Sequence, residues 1–134
     1  MNTRSAPSTI LVVDDEPHVV HVLSVVLRHV GYRVLAASDV EEAISVLSTH
    51  GADLVITDPQ MSSHDGASFA SRLFRDERSR GIPIVFLTGH GEGTHGRLAP
   101  NVRLVLGKPF SPRHIVEEIS KLLPSVAASR SQAA

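Results

Sequence analysis

The residues Thr9-Ile-Leu-Val-Val13 form a short apolar run, rich in β-branched side chains, that stops abruptly at Asp14-Asp15-Glu16-Pro17. Such a run has no polar face to offer water. It reads as a strand covered on both sides, as in a parallel sheet. The period then changes. Behind Pro17, which suits the first turn of a helix, Val19, Val22, Leu23, Val26, Leu27 and Val30 recur at helical spacing, and Gly31 marks a stop. A doubly covered strand that feeds a one-faced helix constrains the chain strongly, because the helix must lie back on the sheet before the next strand begins.

The same unit recurs along the chain. Tyr32 to Ala37 is a second candidate strand, and Ser38-Asp-Val-Glu41 fits a capping box for a helix whose face is Val40, Ala43, Ile44 and Leu47. Asp53 to Thr57 is a third strand, ending in Asp58, and the loop Pro59 to Gly66 leads to a helix carrying Ala67, Ala70, Leu73 and Phe74. Pro83 to Leu87 is a fourth strand, ending in Thr88. The segment Gly89 to Gly96 that follows holds four glycines, so its helix is expected to be short or irregular. Val102 to Leu106 is a fifth strand, followed by Gly107-Lys108-Pro109. The last helix has Ser111 as N-cap and Pro112 at its first position, with Ile115, Ile119, Leu122 and Leu123 on one side, and Pro124 ends it. The expected fold is α/β, a doubly wound five-stranded parallel sheet with helices on both faces. It is expected to occupy residues 9–123, between a flexible arm (1–8) and a flexible tail (124–134).

Composition removes several alternatives. With 42% hydrophobic residues and a net charge of −1 in 134 residues, the chain can close one core and is not disordered as a whole. It has no cysteine, which excludes disulfides, thiol catalysis and thiolate metal sites. The near-zero net charge gives no bulk attraction to nucleic acid or to an anionic membrane. Val19 to Ala37, the longest apolar region, is broken by His21, Arg28, His29 and Arg33, and Met1 to Ser8 lacks the apolar stretch of a secretory signal. A cytoplasmic protein without membrane or direct nucleic-acid partners is expected.

In open α/β sheets, sites form beyond the carboxyl ends of the strands. Those ends carry Asp14 and Asp15, then Asp58, then Thr88, then Lys108, one of only two lysines (the other is Lys121). Clustered carboxylates repel one another and suit a hard cation such as magnesium. A carboxylate beside such a cation can act as a nucleophile toward phosphorus, provided positive charge and donors surround the phosphoryl oxygens. Lys108 and the Thr88 hydroxyl have the chemistry for that. The set is complete for accepting a phosphoryl group on Asp58.

Four runs in order carry a resemblance: Val12-Val-Asp-Asp-Glu-Pro17, Leu54-Val-Ile-Thr-Asp58 with Met61 and Gly66, Ile84-Val-Phe-Leu-Thr88, and Lys108-Pro-Phe110. Over about residues 8–123 the chain resembles the receiver domain of two-component response regulators, of the single-domain, chemotaxis-regulator-like kind. The resemblance implies a flavodoxin-like fold, with Asp58 as phospho-acceptor, Thr88 bonded to the phosphoryl group and Lys108 paired with it. It implies Mg2+ (or Mn2+) held by Asp14, Asp15, Asp58 and the backbone carbonyl of Gln60. It also implies a cis Lys108–Pro109 bond. The donor would be a histidine kinase or a phosphotransfer protein. The output would be a protein–protein contact through the face formed by the fourth and fifth strands and helices. The sequence departs from the family at Ser62, usually proline. It departs at Pro59, which has no N–H, so that Gln60 or Gly89 must donate instead. It departs at Val105, where the family has a switch aromatic, and in the glycine-rich fourth helix. Gln60 and His90 stand at the two positions that tune phosphoryl lifetime in the family.

Each signal alone has an ordinary reading. Asp14 and Asp15 could cap a helix, Asp58 could be a turn residue, and Thr88 and Lys108 could be incidental. His18 and His21 read as a solvated helix face, since no acid is spaced with them as a third ligand, and Arg72, Arg75, Arg78 and Arg80 are interleaved with Asp76 and Glu77. Two other functions compete with the phosphorylated switch. One is a degenerate receiver that binds partners without phosphorylation. The other is an aspartyl-nucleophile phosphatase, but that chemistry wants Asp-x-Asp after the first strand, where this chain has Asp14-Asp15-Glu16-Pro17.

Overall fold

The structure is a computed structural model and describes residues 7–60, 66–89 and 99–123. Its elements run β1 (Thr9–Val13), α1 (Pro17–Val30), β2 (Arg33–Ala37), α2 (Val40–His50), β3 (Leu54–Thr57), α3 (Gly66–Arg75), β4 (Ile84–Thr88), β5 (Val102–Gly107) and α4 (Pro112–Leu122). The strands form one parallel sheet in the order β2-β1-β3-β4-β5. The expected short helix between β4 and β5 falls on residues outside the described ones, as do most of the arm and the tail. Ser8, assigned to the arm, is tied to the sheet edge, because its carbonyl accepts the Arg33 N–H at 2.9 Å.

Alternation along the strands divides the core in two. Ile10, Val12, Leu54, Ile56, Val85 and Leu87 face α1 and α4, where Leu23, Leu27, Ile115 and Ile119 are buried. Leu11, Val13, Val55, Ile84 and Phe86 face α2 and α3, where Ala43, Phe69, Ala70 and Leu73 are buried. This is the doubly covered sheet that the uniformly apolar strands require. In α3 the buried apolar group includes Phe69, which the spacing of Ala67, Ala70 and Leu73 had not singled out.

The helix starts follow local chemistry, with one shift. Pro17 and Pro112 occupy first-turn positions, and Ser111 Oγ accepts the His114 N–H at 3.3 Å. The N-cap of α2 is Asp39, not Ser38: its carboxylate accepts the Glu42 N–H at 2.8 Å, and Glu42 reaches back to the Ser38 N–H at 2.7 Å. The box is therefore displaced one residue from the Ser38–Glu41 reading, because aspartate is at least as good a cap and Glu42 then stands three residues on. Gly31 ends α1 with φ 120°, a conformation that favours glycine.

Between Ile84 and Val85 the β4–β5 register slips by one residue, so that Val85 pairs with Leu104 and Arg103 is passed over. Thr88 consequently faces Gly107, and the Lys108 N–H donates to the Thr88 carbonyl at 2.7 Å.

Candidate phosphoryl-acceptor site

The strand order reverses its direction of growth between β1 and β3, and in open sheets that crevice is where ligands bind. The ladder pairs Val13 with Thr57, so Asp14 and Asp58 emerge one step later on neighbouring strands. Their backbones stay tied to the sheet: Asp14 N–H donates to the Ala37 carbonyl at 3.1 Å and Asp58 N–H to the Val13 carbonyl at 3.2 Å.

The two aspartates are built alike. Asp14 Oδ1 accepts the Glu16 N–H at 2.9 Å, and Asp58 Oδ1 accepts the Gln60 N–H at 2.8 Å, each a turn closed by a side chain two residues back. The Gln60 N–H, next in the chain after Pro59, which has none, is engaged by the Asp58 carboxylate itself. The second oxygen of each aspartate faces Lys108 Nζ, at 3.1 Å for Asp14 and 2.9 Å for Asp58. Glu16 Oε1 is the third acceptor, at 2.8 Å. Side-chain exposure is 3% for Asp14, 11% for Asp58 and 14% for Lys108, against 59% for Glu16.

These burials set the electrostatics. Burial pushes the Asp14 carboxyl above the ordinary carboxylate value, against the lowering effect of the Glu16 N–H and of Lys108. For Lys108, burial acts to lower the pKa. The hydrogen bonds to Glu16, Asp58 and Asp14 outweigh it and hold the ammonium above the ordinary lysine range.

Of the residues singled out at the strand ends, Asp14, Asp58, Lys108 and the Thr88 backbone come together here, and Thr88 itself is buried. The Lys108–Pro109 bond is cis, as the resemblance implied. Asp15 is exposed and, with Asp14, Pro17, His21 and Glu42, lines a cleft of about 470 Å3 between α1 and the start of α2. Among the described residues, the carboxylates whose oxygens lie within 4.8 Å of one another are Asp14, Glu16 and Asp58. The sequence reading missed Glu16. Three consecutive acids were visible, but which of them turns toward the lysine depends on the turn after β1. Val105, at the place of the family's aromatic, is half-buried opposite Phe86.

The family model for the response regulator receiver domain matches residues 10–120. The chain belongs to the response regulator receiver domain family. The phosphate regulon transcriptional regulatory protein PhoB of Pseudomonas aeruginosa is 34% identical over 127 residues, which cover 93% of this chain and 56% of PhoB. The response regulator Rre1 of Synechocystis is 35% identical over 127 residues, covering 92% of this chain and 54% of Rre1. The chain therefore spans about half the length of the curated relatives it matches. Among solved structures, the Thermotoga maritima response regulator TrrA in complex with Mg(2+)-BeF has a TM-score of 0.77 at 28% identity, covering 87% of this receiver chain and 99% of TrrA. The Vibrio cholerae chemotaxis protein CheY4 gives a TM-score of 0.77 at 25% identity, covering 88% of this chain and all (100%) of CheY4. The receiver's five-stranded parallel sheet with helices on both faces is thus both observed and shared. Among its described residues, no helix is long and apolar enough to cross a membrane.

Proposed function

We propose that this receiver domain is a phosphorylation-operated switch whose acceptor is Asp58. The observation that carries the reading is the setting of that carboxylate: largely buried, with the Gln60 N–H on one oxygen and the Lys108 ammonium on the other. A carboxylate so held is aimed, and a partner cation is already at hand for the charge that transfer brings.

In the proposed step an Asp58 oxygen attacks the phosphorus of a phosphohistidine on a histidine kinase or phosphotransfer protein. The P–N bond breaks, the donor imidazole leaves and takes up a proton from water, and Asp58 becomes an acyl phosphate. Lys108 pairs with the phosphoryl oxygens and the Thr88 hydroxyl donates to them. Asp14 and Asp58, whose hard carboxylate oxygens lie within 4.8 Å of each other, fit a hard divalent cation. Asp14, Asp15, Asp58 and the Gln60 carbonyl would hold it, and Mg2+ (or Mn2+) there supplies neutralisation of charge on the phosphoryl oxygens. The likeness to TrrA, solved with Mg(2+)-BeF, supports this assignment.

Phosphorylation adds about −1.5 to −2 charge at one rim of the sheet. The readout we assign to the face of β4, β5 and α4, acting on a protein partner in the cytoplasm rather than on nucleic acid or a membrane.

Intact mass after incubation with acetyl phosphate tests the proposal, with and without Mg2+, for wild type and Asp58→Asn. The expected result is a Mg2+-dependent gain of one phosphoryl group in wild type and none in the variant. A gain that persists in Asp58→Asn refutes the acceptor. No gain together with no Mg2+ binding leaves a phosphorylation-independent interaction module.

A further inference from the structure

Glu16 is the one member of the charged cluster given no part in the chemistry above. It is the N-cap residue of α1, yet it makes no side-chain hydrogen bond to the helix's free N–H groups. Glutamate is not one of the short side chains that cap well from that position, so its carboxylate is available to reach elsewhere. Here the carboxylate reaches away to Lys108, at 2.8 Å the shortest of the three lysine contacts. Its backbone is fixed from the other side by the Glu16 N–H donation to Asp14 Oδ1 at 2.9 Å.

An ammonium has three N–H donors. Asp14, Glu16 and Asp58 supply three acceptors at 2.8–3.1 Å, so the lysine's donors are fully used. A phosphoryl oxygen can take one only by displacing a carboxylate. Asp14 is the worst to uncover, being 3% exposed and without water to replace the lysine. Asp58 is the atom to be modified. Glu16, 59% exposed, is the acceptor that solvent can take over when the lysine swings away.

We infer that Glu16 is a positioning residue that holds Lys108 back from the incoming phosphoryl group and so restrains phosphoryl transfer; this rests on the reading of Asp58 as acceptor. The restraint acts through Lys108 and not as a bare negative charge, which sets the test. The second-order rate constant for phosphoryl uptake from acetyl phosphate is measured by intact mass at saturating Mg2+, for wild type, Glu16→Gln, Lys108→Met and the double variant. Glu16→Gln should be faster than wild type by up to about fivefold, the ceiling for one partly exposed ion pair. In the Lys108→Met background the same change should do nothing, since the two effects are coupled. Equal or slower uptake by Glu16→Gln overturns the inference. So does an acceleration of the same size without Lys108, which would make Glu16 a plain repulsive charge. A second readout needs no phosphoryl donor: in the Mg2+-free protein the Lys108 ammonium NMR signal should shift and exchange its protons faster in Glu16→Gln. An unchanged signal overturns the inference as well. Wild type that takes up no phosphoryl group refutes the underlying reading. Wild type that does, with Glu16→Gln indistinguishable from it, refutes only the role of Glu16.

Discussion

Replacing Lys108 by Met removes the ammonium but keeps an unbranched stem of similar reach, so the loss it reports is one of charge. Three carboxylates then face one another with no cation between them. Two of them matter: Asp14 at 3.1 Å from the lysine with 3% exposure, and Asp58 at 2.9 Å with 11%. Breaking a buried pair by removing one partner costs about 3–5 kcal/mol, and the exposed Glu16 adds about 0–1 kcal/mol. Because Lys108 lies at the rim, 14% exposed, the low end applies, about 3 kcal/mol. For a domain of this size about 4 °C accompanies each kcal/mol, so Tm should fall by about 12 °C. The assay is thermal unfolding by circular dichroism in EDTA, followed by the same scan at saturating Mg2+. The cation should recover much of the deficit, because ligand at about a hundred times Kd contributes about 2.7 kcal/mol. The pH profile has a sign as well. Lys108 titrates above the ordinary 10.5, so its stabilisation is complete below that value and is lost as pH rises through the higher folded pKa. The gap between wild type and variant should therefore be level from about pH 7 to 10 and close above it. A variant as stable as wild type in EDTA would falsify the reasoning, because the carboxylates would then be held apart by something other than the lysine.

Three further expectations are independent of one another. Tyr32→Phe should raise Tm by about 4 °C, about 1 kcal/mol, because the buried Tyr32 hydroxyl has no hydrogen-bond partner among the described residues and its desolvation is uncompensated. Asp39→Ala should cost about 1 kcal/mol by the same scan while Ser38→Ala costs less, since Asp39 and not Ser38 caps α2. Asp14→Asn should steepen the rise of stability with pH at the acid end, measured in EDTA. Burial raises the Asp14 pKa, so the native state holds more protons than the unfolded one just above pH 3.8 and loses stability as pH rises through that window. The variant's advantage over wild type should accordingly grow across that window and then stay level; an advantage that shrinks with rising pH would show the opposite sign.

The parts of the fold and site that were legible from sequence are those fixed by short-range patterns. Thr9 to Val13 declares a buried parallel strand by lacking a polar face, and the observed β1 has those limits. Asp14, Asp58 and Lys108 are findable because strand ends are, and a parallel sheet gathers its strand ends at one rim. What was not legible depends on rotations the pattern does not carry. Among Asp14, Asp15 and Glu16, the turn after β1 brings the first and third to Lys108, and of these two only Asp14 is buried. Spacing alone cannot rank three adjacent acids. The one-residue shift of the α2 cap has the same origin, since Ser38 and Asp39 are both competent caps and the choice falls to which leaves a glutamate three residues on.

The slip in β5 shows how a feature with no sequence signal can still position the chemistry. Read as plain alternation, Val102, Leu104 and Leu106 would share one face. Instead Val102 and Val105 pack on the α2–α3 side, while Leu104 and Leu106 pack on the α1–α4 side. The passed-over Arg103 accounts for the change of phase, and being exposed it can be accommodated there without disturbing either core. Without the extra residue Thr88 would face Leu106, and Gly107, which has no side chain, would follow at the place now held by Lys108. A side-chain period of two makes register an all-or-none property. The irregular step at the far end of β5 is thus what brings the ammonium opposite Thr88 and into reach of the two aspartates that β1 and β3 deliver.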